Sequence, residues 1–195
     1  MNDTTPDLRP ALARAQAWVA ELIEAIRPDQ WDAPTPCADW SVRDLVGHVL
    51  AVEGRIAGQP AGSVNHLPTT IEVPDADPAG AFADAAATAR AAWVDDALLT
   101  RVVERPYGEV PGWVAVADFA REHVLHGWDL AVATGRDSEA LADLAEAMLP
   151  GARQFLPAGM RGPGIPFDPV VASAPGAGPT EQLANWFGRR ALVRA

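Results

Sequence analysis

The chain has 195 residues, the usual size of one domain, and 49% of them are hydrophobic, which is enough for a sizeable core. Its formal net charge is −11, and so acidic a chain repels nucleic acid and anionic lipid, so we expect neither as a partner. All 15 basic residues are arginine. The lack of lysine excludes a Schiff-base lysine, a pyridoxal-phosphate anchor and a Walker-type phosphate site.

The sequence also gives expectations about compartment. A single cysteine cannot form an intrachain disulfide. The N-terminal residues lack the basic and apolar regions of a signal peptide, and no run of about 18 apolar residues could span a membrane. We therefore expect a cytoplasmic protein.

Two amphipathic helices are predicted near the start of the chain. Over residues 8–27, apolar side chains recur at spacings of mostly four and three, from Leu8 to Ile26. The same period runs over residues 41–57, where Ser41 and Asp44 have the spacing of a capping box. This spacing is typical of helices that face the core of a bundle.

Three more helices are predicted downstream, over residues 78–101, 112–134 and 138–156. Asp77 is the expected N-cap of the first of them, with Pro78 at its first position, where a missing N–H costs nothing. Gly135 is the expected C-cap of the second, and Ser138 begins the third. Helices of this number and period favour an all-α fold, an antiparallel four-helix bundle.

The connections complete the predicted architecture. The long link 57–77 has a candidate extended piece at 70–73, and residues 102–111 could form a hairpin or an ordered loop. Beyond Phe155 the chain is rich in proline and glycine, and a short helix follows near 180–190. We expect residues 1–156 to form the bundle and residues 157–195 to pack on it as part of the same domain.

Few side chains in this sequence can carry chemistry. His66 lies in a loop and is best interpreted as a solvated side chain. Cys37 lies just before the second helix, and packing is a simpler role for it than nucleophilic catalysis. The sequence has no GxSxG elbow and no GxGxxG after a strand, which argues against serine hydrolases and dinucleotide enzymes.

The remaining histidines suggest a metal site. Glu122 and His126 are four residues apart, so they project from one face of the fourth helix, whereas His123 points about 100° away. The third ligand must come from another helix, and His48 lies on the second. Two histidines and a carboxylate are typical of a catalytic zinc site, although they also suit nickel, iron or manganese.

A structural interpretation of the same residues stays open at this stage. Asp118, Glu122 and Asp129 share much of one helical face with His126, so they could form a solvated polar stripe. His48 flanks the apolar seam and could be an ordinary core histidine.

Two segments, 35–58 and 121–135, resemble the DinB-like helical bundles. The nearest branch is the one related to the N-terminal domain of mycothiol-dependent maleylpyruvate isomerase. The resemblance rests on Pro36, Cys37 and Trp40 before the second helix, on His48 within it, and on the HGWDLA run that starts at His126.

The resemblance implies a bundle that holds one divalent metal ion, most simply zinc, through His48, Glu122 and His126. It also implies that Cys37 belongs to a structural turn, and that Trp128 and Asp129 brace the metal-bearing helix. Asp129 could in addition hydrogen-bond a ligand imidazole and fix its tautomer. The isomerase has a further domain that helps complete its substrate site. Its substrate-binding basic residues cannot be matched in this sequence, so maleylpyruvate itself is not the expected substrate.

The expected function is that of a metal-dependent transferase or isomerase in which a metal-activated thiol such as mycothiol attacks a small electrophile. The catalytic group would then be the bound thiol or a bound water rather than a side chain. Two alternatives are a hydrolase or lyase that uses metal-bound water and a binding protein without catalysis. We expect a small-molecule thiol and an electrophile as partners, and a homodimer.

Overall fold

A computed structural model describes residues 5–62, 68–162 and 167–192. The helices are α1 (Arg9–Glu24), α2 (Val42–Gly58), α3 (Pro78–Ala92), α4 (Ala97–Thr100), α5 (Gly112–Thr134), α6 (Ala142–Phe155) and α7 (Pro179–Trp186). One hairpin is formed by β1 (Val102–Arg105) and β2 (Gly108–Pro111). Single 3-10 turns follow α1 and α2. His66, which was expected to be a solvated loop side chain, lies outside the described residues.

The predicted four-helix bundle is confirmed. Helix α1 packs against α3 and α5, and α2 packs against the same two helices from the other side. Large aromatic side chains fill the space between them, with Phe82, Phe119 and Trp128 no more than 1% exposed. Helices α6 and α7 pack on each other and on α5. This arrangement brings the middle of α2 next to the middle of α5, where the candidate ligands lie.

The helix caps follow the sequence. The Ser41 hydroxyl accepts the N–H of Asp44, and the Asp44 carboxylate accepts the N–H of Ser41, which completes the predicted capping box of α2. Asp77 accepts the N–H of Gly80 at the start of α3. Gly135 ends α5 in the left-handed conformation, with φ of 72°.

The predicted helix 78–101 is wrong beyond Ala92. The indole N–H of Trp93 donates to the carbonyl of Ile56 on α2, and this tertiary contact helps hold the chain where α3 ends. The carboxylate of Asp95 then accepts the N–H of Ala97 and starts the single turn of α4. A local sequence pattern could not reveal the hydrogen bond between Trp93 and Ile56, because these residues are 37 positions apart.

The helix predicted from Ser138 begins instead at Ala142. Glu139 explains the difference, because its carboxylate accepts the backbone N–H groups of Thr180 and Glu181 at the start of α7. Residues 138–141 therefore form turns that cap another helix.

Both long links are ordered where the structure describes them. Residues 102–111 form the predicted hairpin, with Val103 opposite Val110. Residues 70–73, the candidate extended piece, form no strand, and the N–H of Ile71 donates to the carbonyl of Gly47 on α2. A side chain at Gly47 would collide with the Ile71 carbonyl, so glycine permits this close crossing. Within the described ranges, no helix has both the length and the apolar composition needed to cross a bilayer.

Candidate metal centre

The three predicted ligands converge between α2 and α5. One donor atom from each of His48, Glu122 and His126 lies within 4.8 Å of the other two. Nε2 of His48 is 3.3 Å from Oε1 of Glu122, and the two imidazole centroids are 4.7 Å apart. Glu122 and His126 share one face of α5, as their spacing requires, and the pairing of α2 with α5 supplies the third residue.

The orientation of His48 is fixed by two neighbours. Its Nδ1 lies 2.8 Å from the carbonyl oxygen of Thr69, which can only accept, and therefore carries a hydrogen. The other ring nitrogen, Nε2, faces Glu122 and is the atom through which His48 would bind a cation. The ring of Trp40, just before α2, packs against the imidazole with centroids 4.5 Å apart. The structure thus presents His48 in the tautomer that a metal ligand needs.

His126 is held in the same way by Asp129. Nδ1 of His126 is 3.1 Å from Oδ2 of Asp129, so the contact expected for Asp129 is present. Asp129 is completely buried, and the same oxygen accepts a hydrogen bond from Nε of Arg189 at 3.2 Å. This leaves Nε2 of His126 free to face the shared space, an arrangement that recurs around metal-bound histidines.

The electrostatics of the trio favour a cation ligand set. Burial alone would raise the pKa of Glu122, but a hydrogen bond from His48 and the positive charge that the neighbouring histidines carry when protonated lower it to about 2. Burial lowers the pKa of His126, which keeps its imidazole neutral at physiological pH. A charged carboxylate and a neutral imidazole are the protonation states in which these side chains bind a metal ion.

His123 does not join the trio, as its helical position predicted. Its Nε2 is 2.8 Å from Oε1 of Glu53, and the other Glu53 oxygen accepts from the side-chain amide of Gln16. All three side chains are at most 1% exposed. Burial would lower the pKa of His123, but the charge and hydrogen bond of Glu53 raise it. This buried network links α1, α2 and α5 directly behind Glu122.

The residues present fit a divalent metal ion. Two ligands about 2.1 Å from a tetrahedral cation are about 3.4 Å apart, close to the 3.3 Å between His48 and Glu122. Two imidazoles and one carboxylate leave coordination positions open for other molecules. Metal binding by His48, Glu122 and His126 nevertheless stays a prediction.

Cys37 forms a second group with His126 and Asp129, again with donor atoms within 4.8 Å. This group suits a cation less well, because Arg189 already places a positive charge beside the Asp129 carboxylate. Cys37 lies in a turn closed by Thr35 and Trp40, and burial raises the pKa of its thiol to about 11. A thiol with so high a pKa is a poor nucleophile, in agreement with the packing role expected for it.

Two cavities meet at the trio and share Glu122, His126, Phe167 and Arg189. The larger cavity, about 550 Å³, extends past Cys37, Trp40 and Thr69. The smaller, about 240 Å³, extends towards the hairpin and α6. The candidate metal centre is therefore reached from two sides.

Several residues of the site were not found from the sequence. Thr69, Arg189 and the hairpin residue Arg105 come from segments remote from both helices, and they reach the site only through tertiary packing. No periodicity or motif marks them. Only the HGWDLA run, which contains Asp129, gave a local signal.

The fold and the donor set define a helical bundle with a candidate metal centre between two helices. The chain belongs to the family described as the mycothiol maleylpyruvate isomerase N-terminal domain, whose sequence profile matches residues 12–131. The family resemblance read from the two segments is thereby confirmed.

Two relatives are similar over most of the chain, and two solved structures share its fold. The chain is 33% identical to an uncharacterized Mycobacterium tuberculosis H37Rv protein over 179 residues, which cover 90% of this chain and 94% of the relative. The counterpart in strain CDC 1551, also uncharacterized, matches equally. The crystal structure of the mycothiol-dependent maleylpyruvate isomerase matches with a TM-score of 0.59 and 13% identity over 76% of this chain and 68% of that one. A histidine-to-alanine variant of that isomerase gives a TM-score of 0.51.

Proposed function

We propose that this protein is a metal-dependent enzyme, a transferase or isomerase that uses a low-molecular-weight thiol such as mycothiol. The observation that carries the proposal is the convergence of His48, Glu122 and His126 at the junction of two cavities. The family supports an enzymatic role, because it is described by the name of an isomerase.

The residues of the candidate metal centre would have two roles, to bind the cation and to orient the imidazoles. His48, Glu122 and His126 would hold the cation, for which zinc suits the donors best. When bound, such a cation lowers the pKa of a coordinated thiol or water and acts as a Lewis acid. Thr69 and Asp129 would fix the two imidazoles in the required tautomers, since each binds an Nδ1 atom.

The shape of the site favours two reactants. A cavity of about 550 Å³ on one side of the trio is large enough for a thiol cofactor, and the cavity of about 240 Å³ suits a small electrophile. The chain offers no strong nucleophile of its own here, because burial raises the pKa of Cys37 to about 11. An external thiol would fill that role.

The test begins with the metal. Elemental analysis of protein purified without added metal or a His-tag should find close to one zinc per chain, and His126→Ala should lose it. Glu109→Gln, a change at an exposed hairpin carboxylate, is the control and should keep it. A wild-type protein that binds no divalent metal would remove the proposal.

The reaction is tested separately with the zinc-loaded protein, mycothiol and the model electrophile 1-chloro-2,4-dinitrobenzene. The wild type and Glu109→Gln should form the thioether faster than His48→Ala, whose rate should fall to that of the buffer. Equal rates for the wild type and His48→Ala would refute the thiol-transfer role. Turnover of an ester without any thiol would instead indicate a hydrolase.

A further inference from the structure

The smaller cavity has a basic and aromatic lining that the metal proposal does not use. It lies between the hairpin, α5, α6 and the segment after α7, and Glu122 and His126 form one of its walls. Three arginines line it against two carboxylates, although the chain as a whole carries a net charge of −11. The cavity is therefore locally basic in an acidic protein.

Two of the three arginines already have carboxylate partners. Nη2 of Arg121 contacts Oδ1 of Asp118 at 2.6 Å, and Nε of Arg189 contacts Oδ2 of Asp129 at 3.2 Å. Each of these guanidinium groups is thus balanced by a buried carboxylate. Glu122, the other acidic residue of the lining, faces His48.

Arg105, at the end of β1, has no such partner. Within the described ranges it forms no salt bridge, and its Nε is buried without a hydrogen-bond acceptor. Nη1 has only the neutral side-chain amide oxygen of Gln59, at 3.3 Å, and the guanidinium stacks on the ring of Phe119 at 4.3 Å. An arginine stays charged under these conditions. The Arg105 charge has no ion-pair partner among the described residues, and only the Asp118 and Glu122 carboxylates of the same lining balance it, from beyond ion-pair distance.

Beside Arg105, whose guanidinium lies 5.9 Å from the centroid of the Tyr107 ring, the lining is aromatic. Tyr107 and Phe155 meet edge to face with centroids 5.0 Å apart, and Phe187 and Leu125 continue the apolar surface. Arg121 covers the ring of Phe155 at 4.5 Å and helps to fix it. A planar apolar body would pack against this wall while a single anionic group reached Arg105.

We propose that this cavity is a carboxylate-binding subsite, in which Arg105 pairs with a small, flat monocarboxylic acid whose apolar body lies against Tyr107 and Phe155. Arg105 is the one arginine of the lining without an ion-pair partner among the described residues, so the lining suits one carboxylate better than two. The claim that the electrophile of a reaction occupies this subsite rests on the proposed function. The claim that the subsite binds a carboxylate does not rest on it.

The binding test uses benzoate and its neutral analogue benzamide. Both probes are flat and similar in size, so they differ mainly in the charge that Arg105 would recognise. Tyr107 is the only tyrosine of the chain, so NMR of tyrosine-labelled protein reports on this cavity without ambiguity. Benzoate should shift the Tyr107 ring signals and bind at least tenfold more tightly than benzamide.

Arg105→Gln should weaken benzoate binding at least tenfold and leave benzamide binding unchanged, because it removes the charge but keeps a polar, hydrogen-bonding side chain at this position. Arg101→Gln is the matched control, since Arg101 is exposed just before the same hairpin and lies outside the lining. The control should bind benzoate as the wild type does. Thermal unfolding of both variants checks that the fold is retained.

The outcomes separate this proposal from the metal proposal. Arg105→Gln should keep the zinc content of the wild type, because Arg105 is not a ligand. Benzoate binding that survives in a protein unable to bind zinc would support the subsite while the metal proposal failed. Equal affinities of the wild type for benzoate and benzamide, or a benzoate affinity unchanged in a folded Arg105→Gln, would overturn the subsite. The comparison of benzoate with benzamide needs only the wild-type protein.

Discussion

Oδ2 of Asp129 lies 3.1 Å from Nδ1 of His126, in the interior of the protein and one helical turn from it. This contact decides which nitrogen of His126 carries the hydrogen and therefore which nitrogen can bind a cation. The carboxylate also neutralises Arg189, so one buried side chain serves both a candidate ligand and a cation beside it.

Asp129→Asn should lower zinc affinity about 10–100-fold. The new amide can donate its N–H to Nδ1 of His126, which would move the imidazole hydrogen to Nε2 and block the metal. Competition with a chromophoric zinc chelator measures the affinity, and circular dichroism checks the helix content. Asp143→Asn is the control, because that carboxylate pairs with Arg14 on the surface. Unchanged zinc affinity in Asp129→Asn would mean that this contact does not orient the imidazole.

The sequence predicted those parts of the site that depend on helix geometry alone. Glu122 and His126 lie one turn apart on any α-helix, and the same geometry sends His123 elsewhere. The position of His48 opposite them required the pairing of α2 with α5, and only the family resemblance indicated that pairing. The convergence of all three was therefore predictable, but from two different kinds of reasoning.

The other features of the fold and of the site depend on contacts between segments that are distant in the sequence. The hydrogen bond from Trp93 to α2, where α3 ends, and the contact between Glu139 and the start of α7 are both tertiary. Arg105 reaches the site through a hairpin whose position relative to α5 has no counterpart in a local pattern. The presence of the long helices was thus predictable, while the end of α3, the separate turn α4, the start of α6 and the site residues from other segments were not.

The buried network behind Glu122 should contribute strongly to stability. Glu53→Ala would leave Nε2 of His123 and the amide of Gln16 without their partner in a fully buried space. Breaking a buried ionic pair on one side costs about 3–5 kcal/mol. Urea unfolding followed by circular dichroism would measure the loss.

Glu21→Ala is the matched control for that change, because Glu21 is exposed on α1. Its free energy of unfolding should stay within about 0.5 kcal/mol of the wild type. A Glu53→Ala variant that unfolds at the same urea concentration as this control would show that the network contributes nothing to stability.

The capping box of α2 should make a smaller, pH-dependent contribution. Ser41→Ala should destabilise the protein by about 1 kcal/mol, since it removes the acceptor for the N–H of Asp44. The hydrogen bonds from Ser41 lower the pKa of Asp44 below its usual value of 3.8. The charged form of Asp44 therefore stabilises the fold above pH 3.8, and this contribution disappears as the pH falls through the lowered pKa.

Unfolding measured between pH 3 and pH 7 tests the second part of this prediction. The difference in stability between the wild type and Asp44→Asn should be largest near pH 7 and should shrink at the acidic end. A difference that stays constant over this range would show that the charge of Asp44 has no part in the cap.

Two helical glycines should respond to alanine in opposite directions. A Cβ at Gly127, in the HGWDLA run of α5, would collide with the ring of Trp18 on α1, whereas one at Gly151 in α6 would meet no atom within 4 Å. Gly127→Ala should therefore destabilise the protein by about 1–3 kcal/mol through overpacking. Gly151→Ala should stabilise it by about 0.5–1 kcal/mol, because alanine loses less backbone entropy in a helix.

Thermal unfolding of the two variants, measured side by side, tests whether the close approach of α1 and α5 requires glycine. This approach lies beside His126 and near Glu122. A Gly127→Ala protein as stable as Gly151→Ala would show that the two helices can move apart without cost.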